Sequence, residues 1–300
     1  MRYAILASRP GVAYAETYPC DPSSTVSAGG FFYTVDATGT RRLNVTGDEL
    51  VGGAHRAWVV RFPPEVPTNS QATSGVILTP LDGGATITLE PNAYLFADTT
   101  AGLVVGFADP SNGAAPAPFE LVDATTGRLV RTLDSVHPFA AQGHDLIEGG
   151  QTCNTLQTNT VTCSLERLDL LTGRATGTYR LPGGRTPVSN AVFSPDGRMI
   201  AFQLTAAAND PRFATDFPAS GLAILHLDTG RLVIVPNLEF APKTSVGLTF
   251  DTTGSSLLAL VDDGDHGELL IWQEGMPSPA LVVTVPGPFA APPALLLIQQ

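Results

Sequence analysis

The stretch "VDDGDHGELL" at 261–270 holds the densest set of side chains that could do chemistry. Asp263, Asp265 and Glu268 are hard oxygen donors of the kind Ca²⁺ takes. Their spacing reproduces only a fragment of a calcium-binding helix–loop–helix element, with no twelfth-position glutamate and no flanking helix. A solvated hairpin loop accounts for the same residues. No cofactor is expected, with Ca²⁺ at these carboxylates as the alternative.

Three cysteines follow in order of interest. In "CNTLQTNTVTC", Cys153 and Cys163 stand about ten residues apart across a polar, Asn- and Thr-rich stretch. If that stretch connects two strands of a hairpin, its ends lie close enough for a disulfide. Two unrelated thiols are the alternative. A disulfide would place the chain in an oxidising compartment, secreted or periplasmic, with Cys20 left over. No signal peptide is visible, because Arg9 and Pro10 interrupt the short apolar run of "MRYAILASRPGVAYAET".

The five histidines, His55, His137, His144, His226 and His266, are scattered. His144 and Asp145 are sequence neighbours, and neighbours in a strand point to opposite faces. His226 alternates with Leu225 and Leu227 and reads as a strand residue facing a neighbouring sheet. Trp58 and Trp272 read as packing residues. The chain lacks G-x-S-x-G, H-E-x-x-H, P-loop, G-x-G-x-x-G and C-x-x-C patterns. No catalytic residue is therefore assigned.

The elements that must position these groups follow from composition and repetition. The 300 residues are 43% apolar and only 15% charged, with 30 Gly, 25 Pro and a single lysine, Lys243. That balance favours strands and turns over helices. The net charge of −12 disfavours a nucleic-acid partner. No apolar run reaches the length of a membrane span.

A strand–turn–strand signature recurs as "TVDATGTRRLNV", "TPLDGGATITL", "LVDATTGRLVRTL", "RLDLLTGRATGTYRL" and "ILHLDTGRLVIV", with a degenerate copy in "IWQEGMPSPALVVTV". Asp36, Asp82, Asp123, Asp169 and Asp228 mark it at intervals of roughly 40 to 60 residues, the period of four-stranded propeller blades. Between these hairpins lies a second set, clearest in "AVFSPDGRMIAFQL". There Ser194, Pro195, Asp196 and Gly197 form a structural turn, Gly supplying positive φ and Asp a side-chain cap.

"FSPDGRMIAF", followed by strand–"LDTGR"–strand, resembles the WD40-like propeller repeat of TolB-type proteins. The Trp-Asp dipeptide of true WD40 blades is missing, its nearest counterpart being Ile271-Trp272-Gln273. The Ser194–Gly197 turn is also similar to the Asp box of sialidase-type propellers, without its downstream Trp. The expectation is an all-β chain forming one propeller domain over 1–300. Six four-stranded blades are favoured, near 3–46, 51–89, 94–133, 138–181, 190–235 and 246–285, with seven as the alternative. Residues 288–300 would add an inner strand beside the N-terminal blade and close the ring.

The resemblance implies that the connections between second and third strands share one face. These are 18–30, 63–74, 109–118, 149–163, 205–220 and 262–268, poor in charge and rich in Pro, Ser, Thr and Asn. Such a surface suits a protein or peptide partner. The expected role is a non-catalytic binding scaffold. The alternatives are a metal-assisted, lactonase-like hydrolase, and the propeller portion of a larger enzyme or sensor.

Overall fold

A computed structural model describes residues 5–9, 12–17, 30–36, 39–47, 49–52, 56–62, 75–107, 118–135, 138–149, 163–181, 185, 187, 191–205, 220–240, 244, 246–262, 266–286 and 295–297. Its strands are β1 (Ile5–Arg9), β2 (Val12–Thr17), β3 (Gly30–Asp36) and β4 (Gly39–Gly47) in sheet 1. Sheet 2 holds β5 (Glu49–Gly52), β6 (Ala57–Arg61), β7 (Ile77–Pro80) and β8 (Ile87–Thr88). Sheet 3 holds β9 (Ala93–Thr99), β10 (Gly102–Phe107), β11 (Phe119–Val122) and β12 (Leu129–Leu133). Sheet 4 holds β13 (Pro138–Gln142), β14 (Asp145–Gly149), β15 (Ser164–Asp169) and β16 (Ala175–Arg180). Sheet 5 holds β17 (Val192–Phe193), β18 (Met199–Thr205), β19 (Ser220–His226) and β20 (Leu232–Ile234). Sheet 6 holds β21 (Val246–Phe250), β22 (Ser256–Asp262), β23 (His266–Gln273) and β24 (Ala280–Pro286).

Sheets 2 to 6 are four-stranded and antiparallel, each strand pairing with its sequence neighbour. Sheet 1 has a fifth strand, because β25 (Leu295–Leu297) pairs in parallel with β1, Ile5 opposite Leu295. The first strands of successive sheets touch in a cycle, β5 to β9, β13, β17 and β21, then β25, which returns to β5. The chain is thus a β-propeller, and β25 takes the innermost place in sheet 1 that β1 would otherwise hold.

The inner strands β6, β10, β18 and β22 are buried on both faces, so they read as nearly continuous apolar runs. Along β18 the side chains alternate between neighbours. Ile200, Phe202 and Leu204 pack with Ile147, Leu165 and Tyr179 of sheet 4. Ala201 packs on the other side with Leu248, Leu257 and Trp272 of sheet 6. The same logic joins Trp58 and Leu78 of sheet 2 to Leu95 and Leu103 of sheet 3, and Val104 and Leu121 of sheet 3 to Leu146 of sheet 4.

Polar ties join sheets 3 to 6 to their neighbours. Arg131 of β12 donates to the Leu171 carbonyl of sheet 4 (3.1 Å), and Tyr179 of β16 donates to the Leu227 carbonyl of sheet 5 (2.9 Å). Asn237 of sheet 5 donates to the Pro277 carbonyl of sheet 6 (2.9 Å). Gly173, at φ +67°, lies beneath Arg131, whose guanidinium occupies the space a Cβ would need. A side chain there would displace the tie between sheets 3 and 4.

Candidate functional site

Two rims follow from the strand order. One carries the turns between first and second and between third and fourth strands. The other carries the connections between second and third strands and those between sheets.

On the first rim, the Ser194–Gly197 turn joins β17 to β18. Ser194 Oγ donates to Asp196 Oδ1 (2.7 Å) and accepts from the Met199 amide (2.9 Å). Asp196 Oδ1 also accepts from the Arg198 amide (3.1 Å), and Gly197 sits at φ +70°. Gln142 of sheet 4 donates its amide to the Ser194 and Pro195 carbonyls, both at 3.1 Å. The turn therefore ties two sheets together. Asp196→Ala is expected to lower stability by about 1 kcal/mol, read from urea unfolding. An unchanged midpoint would mean the cap contributes nothing.

The turns between third and fourth strands show a repeated hydrogen-bond frame. The amide of Asp123 donates to the Arg128 carbonyl and Gly127 donates back to Asp123. Asp169, Gly173 and Arg174 repeat this in sheet 4, and His226, Gly230 and Arg231 repeat it in sheet 5. Asp123 Oδ1 accepts from the Thr126 amide (2.7 Å) and hydroxyl (2.8 Å), and Asp169 does the same with Thr172. In sheet 5 the equivalent position is His226, not Asp228, which corrects the register read from the recurrent aspartates. Aligning on Thr-Gly-Arg rather than on Asp would have found it.

The Thr126 hydroxyl, then the Thr126 amide, holds the Asp123 carboxyl below its ordinary range. The Thr172 hydroxyl does so for Asp169. At Asp196 burial opposes ionisation, but the Ser194 hydroxyl and Arg198 amide outweigh it. At Asp251 burial is likewise outweighed, by bonds from Ser256 and its neighbours. Groups with depressed folded-state values bind fewer protons than in the unfolded chain. Their contribution is present above the unfolded carboxylate range, about pH 3.9, and is lost as pH falls through the folded values. The melting temperature is expected to fall as pH drops below about 4, and less steeply in Asp123→Asn/Asp169→Asn. Equal slopes would mean these carboxylates are not coupled to folding.

The second rim carries the long connections. In sheets 1 to 5 the link between second and third strands is the longest in its sheet. In sheet 6 it is not: β22 and β23 run on until only 263–265 separate them, with Asp262 opposite Gly267. Glu268 is accordingly a strand residue of β23, opposite Val261 and Thr284. Asp263 and Asp265 lie outside the described residues. Among the described residues no group of three or more His, Cys, Asp or Glu is placed to hold a metal ion. Cys163 is fully buried just before β15, while Cys153 and Cys20 lie outside the described residues.

The remaining candidates are structural in placement. Asp145 forms a bidentate pair with Arg167 (2.7 and 2.5 Å), so its carboxylate faces Arg167 across β14 and β15 while its neighbour His144 stands exposed in the turn. That hydrogen bond raises the Arg167 guanidinium above its ordinary value. Trp58 is buried and donates its indole N–H to Asp98, itself buried at the end of β9 (2.9 Å). Nothing local in the sequence pairs these residues, which stand 40 positions apart. Trp272 is buried and donates to the Met276 carbonyl (3.2 Å). His55 and His137 lie outside the described residues, and of His266 only the backbone is described.

No protein-family model and no curated protein sequence matches the chain. Solved structures do match. A TolB-like protein from Agrobacterium tumefaciens superposes with a TM-score of 0.50 at 12% identity, over 84% of this chain and 88% of that one. A hypothetical selenium-binding protein from Sulfolobus tokodaii superposes with a TM-score of 0.50 at 10% identity, over 95% and 74%. The tricorn protease matches with a TM-score of 0.49 at 10% identity, over 94% of this chain and 31% of that one. At such identities the likeness is one of fold, that of a TolB-like propeller.

Proposed function

We propose that the protein is a non-catalytic propeller scaffold, secreted or periplasmic, that binds a protein or peptide through the rim bearing its long connections. The ring is read as six-bladed, with the five-stranded sheet 1 as one of the blades. One observation carries the reading: in five sheets the longest connection leaves the same rim, whereas the described turns of the opposite rim are short and internally hydrogen-bonded. Extended connections on a rigid base are the usual seat of recognition. Their composition, Pro-, Ser-, Thr- and Asn-rich with little charge, suits adaptable polar contacts to a polypeptide. A Cys153–Cys163 disulfide would pin one of these connections at its base. Intact mass under non-reducing conditions should then fall two hydrogens below that of the reduced chain.

The test is to pan the protein against a displayed random-peptide library. Enriched peptides are expected to lose at least about tenfold in affinity when 109–117 and 206–219 are replaced by short Gly-Ser linkers, a loss of about 1.4 kcal/mol or more. Arg174→Ala, on the opposite rim, should leave affinity unchanged. Binding that survives the loop replacements would overturn the reading. So would stabilisation by Ca²⁺ that EDTA reverses, which would move the active centre to the carboxylates near Asp263 and Asp265.

A further inference from the structure

We infer that the partner of the rim bearing the long connections is a basic polypeptide, one rich in Arg and Lys. This rests on the binding role proposed above and names the chemistry of its partner. Its ground is an uneven division of charge between the two rims. On the second rim, the links between second and third strands carry Asp21, Glu65, Asp109, Asp210, Asp216, Asp263 and Asp265, with Arg212 as their only Arg or Lys. The links between sheets add Asp48, Glu90, Asp134 and Glu239 against Arg185 and Lys243. These eleven carboxylates and three cations leave a surplus of eight negative charges, two thirds of the chain's net −12.

The first rim is close to balance because its repeated turn brings its own base. Asp123, Asp196 and Asp228 each share a turn with an arginine, Arg128, Arg198 and Arg231 in that order. Asp82, Asp251 and Glu274 stand against Arg56 and Arg174. Charge kept only for solubility has no reason to collect on one rim. The acidic links between second and third strands belong to five of the six sheets, and among the described residues no group of three or more His, Cys, Asp or Glu is placed to hold a metal ion. Charges so spread fit a long cation that spans several links better than a single ion. The same rim buries the Ser135 and Ser220 hydroxyls, which have no hydrogen-bond partner among the described residues. Ser135 lies in the link after β12, and Ser220 opens β19. Buried hydroxyls are ordinarily paired, and a polypeptide backbone brings both donors and acceptors. An acidic partner, a second copy of this chain included, meets repulsion here.

The random-peptide library gives the first readout: peptides that need the long connections should be enriched in Arg and Lys. The second readout is the anisotropy of a fluorescein-labelled Arg-Gly-Ser repeat peptide. Its affinity should fall at least about tenfold between about 20 mM and about 300 mM salt. Asp109→Lys/Asp216→Lys on the second rim should weaken it about tenfold, and Asp82→Lys/Asp228→Lys on the first rim less than about twofold, although both pairs change the net charge equally. Equal losses in the two pairs would overturn the inference, because net charge alone would then account for binding. Selected peptides that need the long connections but show no excess of Arg and Lys would overturn it too, and leave the binding role standing. Peptides indifferent to those connections would overturn both.

Discussion

Replacing Phe202 by alanine is expected to cost about 3–5 kcal/mol of stability, the largest effect of any single truncation considered. Phe202 is fully buried in the middle of β18 and faces sheet 4. Its ring meets Phe139 edge-on, centroids 5.5 Å apart and planes at 69°. Because both partners sit on strands anchored in separate sheets, the surroundings cannot collapse into the void without breaking ladder hydrogen bonds. Urea unfolding of the purified variant measures the loss. A cost below about 1 kcal/mol would mean that sheets 4 and 5 do not pack through this ring.

Gly102→Ala is the second large effect expected, and its cause is backbone rather than packing volume. Gly102 closes the turn between β9 and β10 at φ +140°, a region that side chains rarely enter. Its carbonyl accepts from the buried Thr99 hydroxyl (2.8 Å). A Cβ there would stand 2.5 Å from the Val122 carbonyl oxygen, which is fixed in the neighbouring strand. Strain of about 1–3 kcal/mol is expected, with no relief from side-chain rotation. Gly197→Ala makes the control: its Cβ would meet nothing within 4 Å, although its φ is also positive. If the two variants melt together, the clash with Val122 is not the cause.

What was legible in the sequence was local. The Ser-Pro-Asp-Gly turn of residues 194–197 and the Thr-Gly-Arg turns carry their geometry in adjacent residues, since Gly permits positive φ and Ser, Thr or Asp bonds the nearby amides. Repeating such turns at blade spacing was enough to indicate a propeller. The register within a repeat was less legible. Asp228 imitated the capping aspartate, and only the backbone bonds from His226 to Arg231 and Gly230 show which residue opens that turn. Partners across sheets left no local trace at all, as with Trp58 and Asp98 or His226 and Glu274. The acidic stretch near residue 265 was read as a loop because its Gly and Asp are turn formers. The ladder of β22 and β23 extends into it because Val261 and Glu268 find paired places there.

The parallel pairing of Ile5 with Leu295 has a consequence for the order of folding. Sheets 2 to 6 are chains of hairpins whose contacts are near in sequence, so each can form at modest entropic cost. The β1–β25 pair joins residues separated by almost the entire polypeptide, and the cost of closing a loop grows with its length. It also spans only three residues. Contacts of that separation are rewarded only once the intervening segments are already ordered. The seam at sheet 1 is thus the last step of assembly and the first to yield, and amide protons of β25 should exchange ahead of those in β18 and β22.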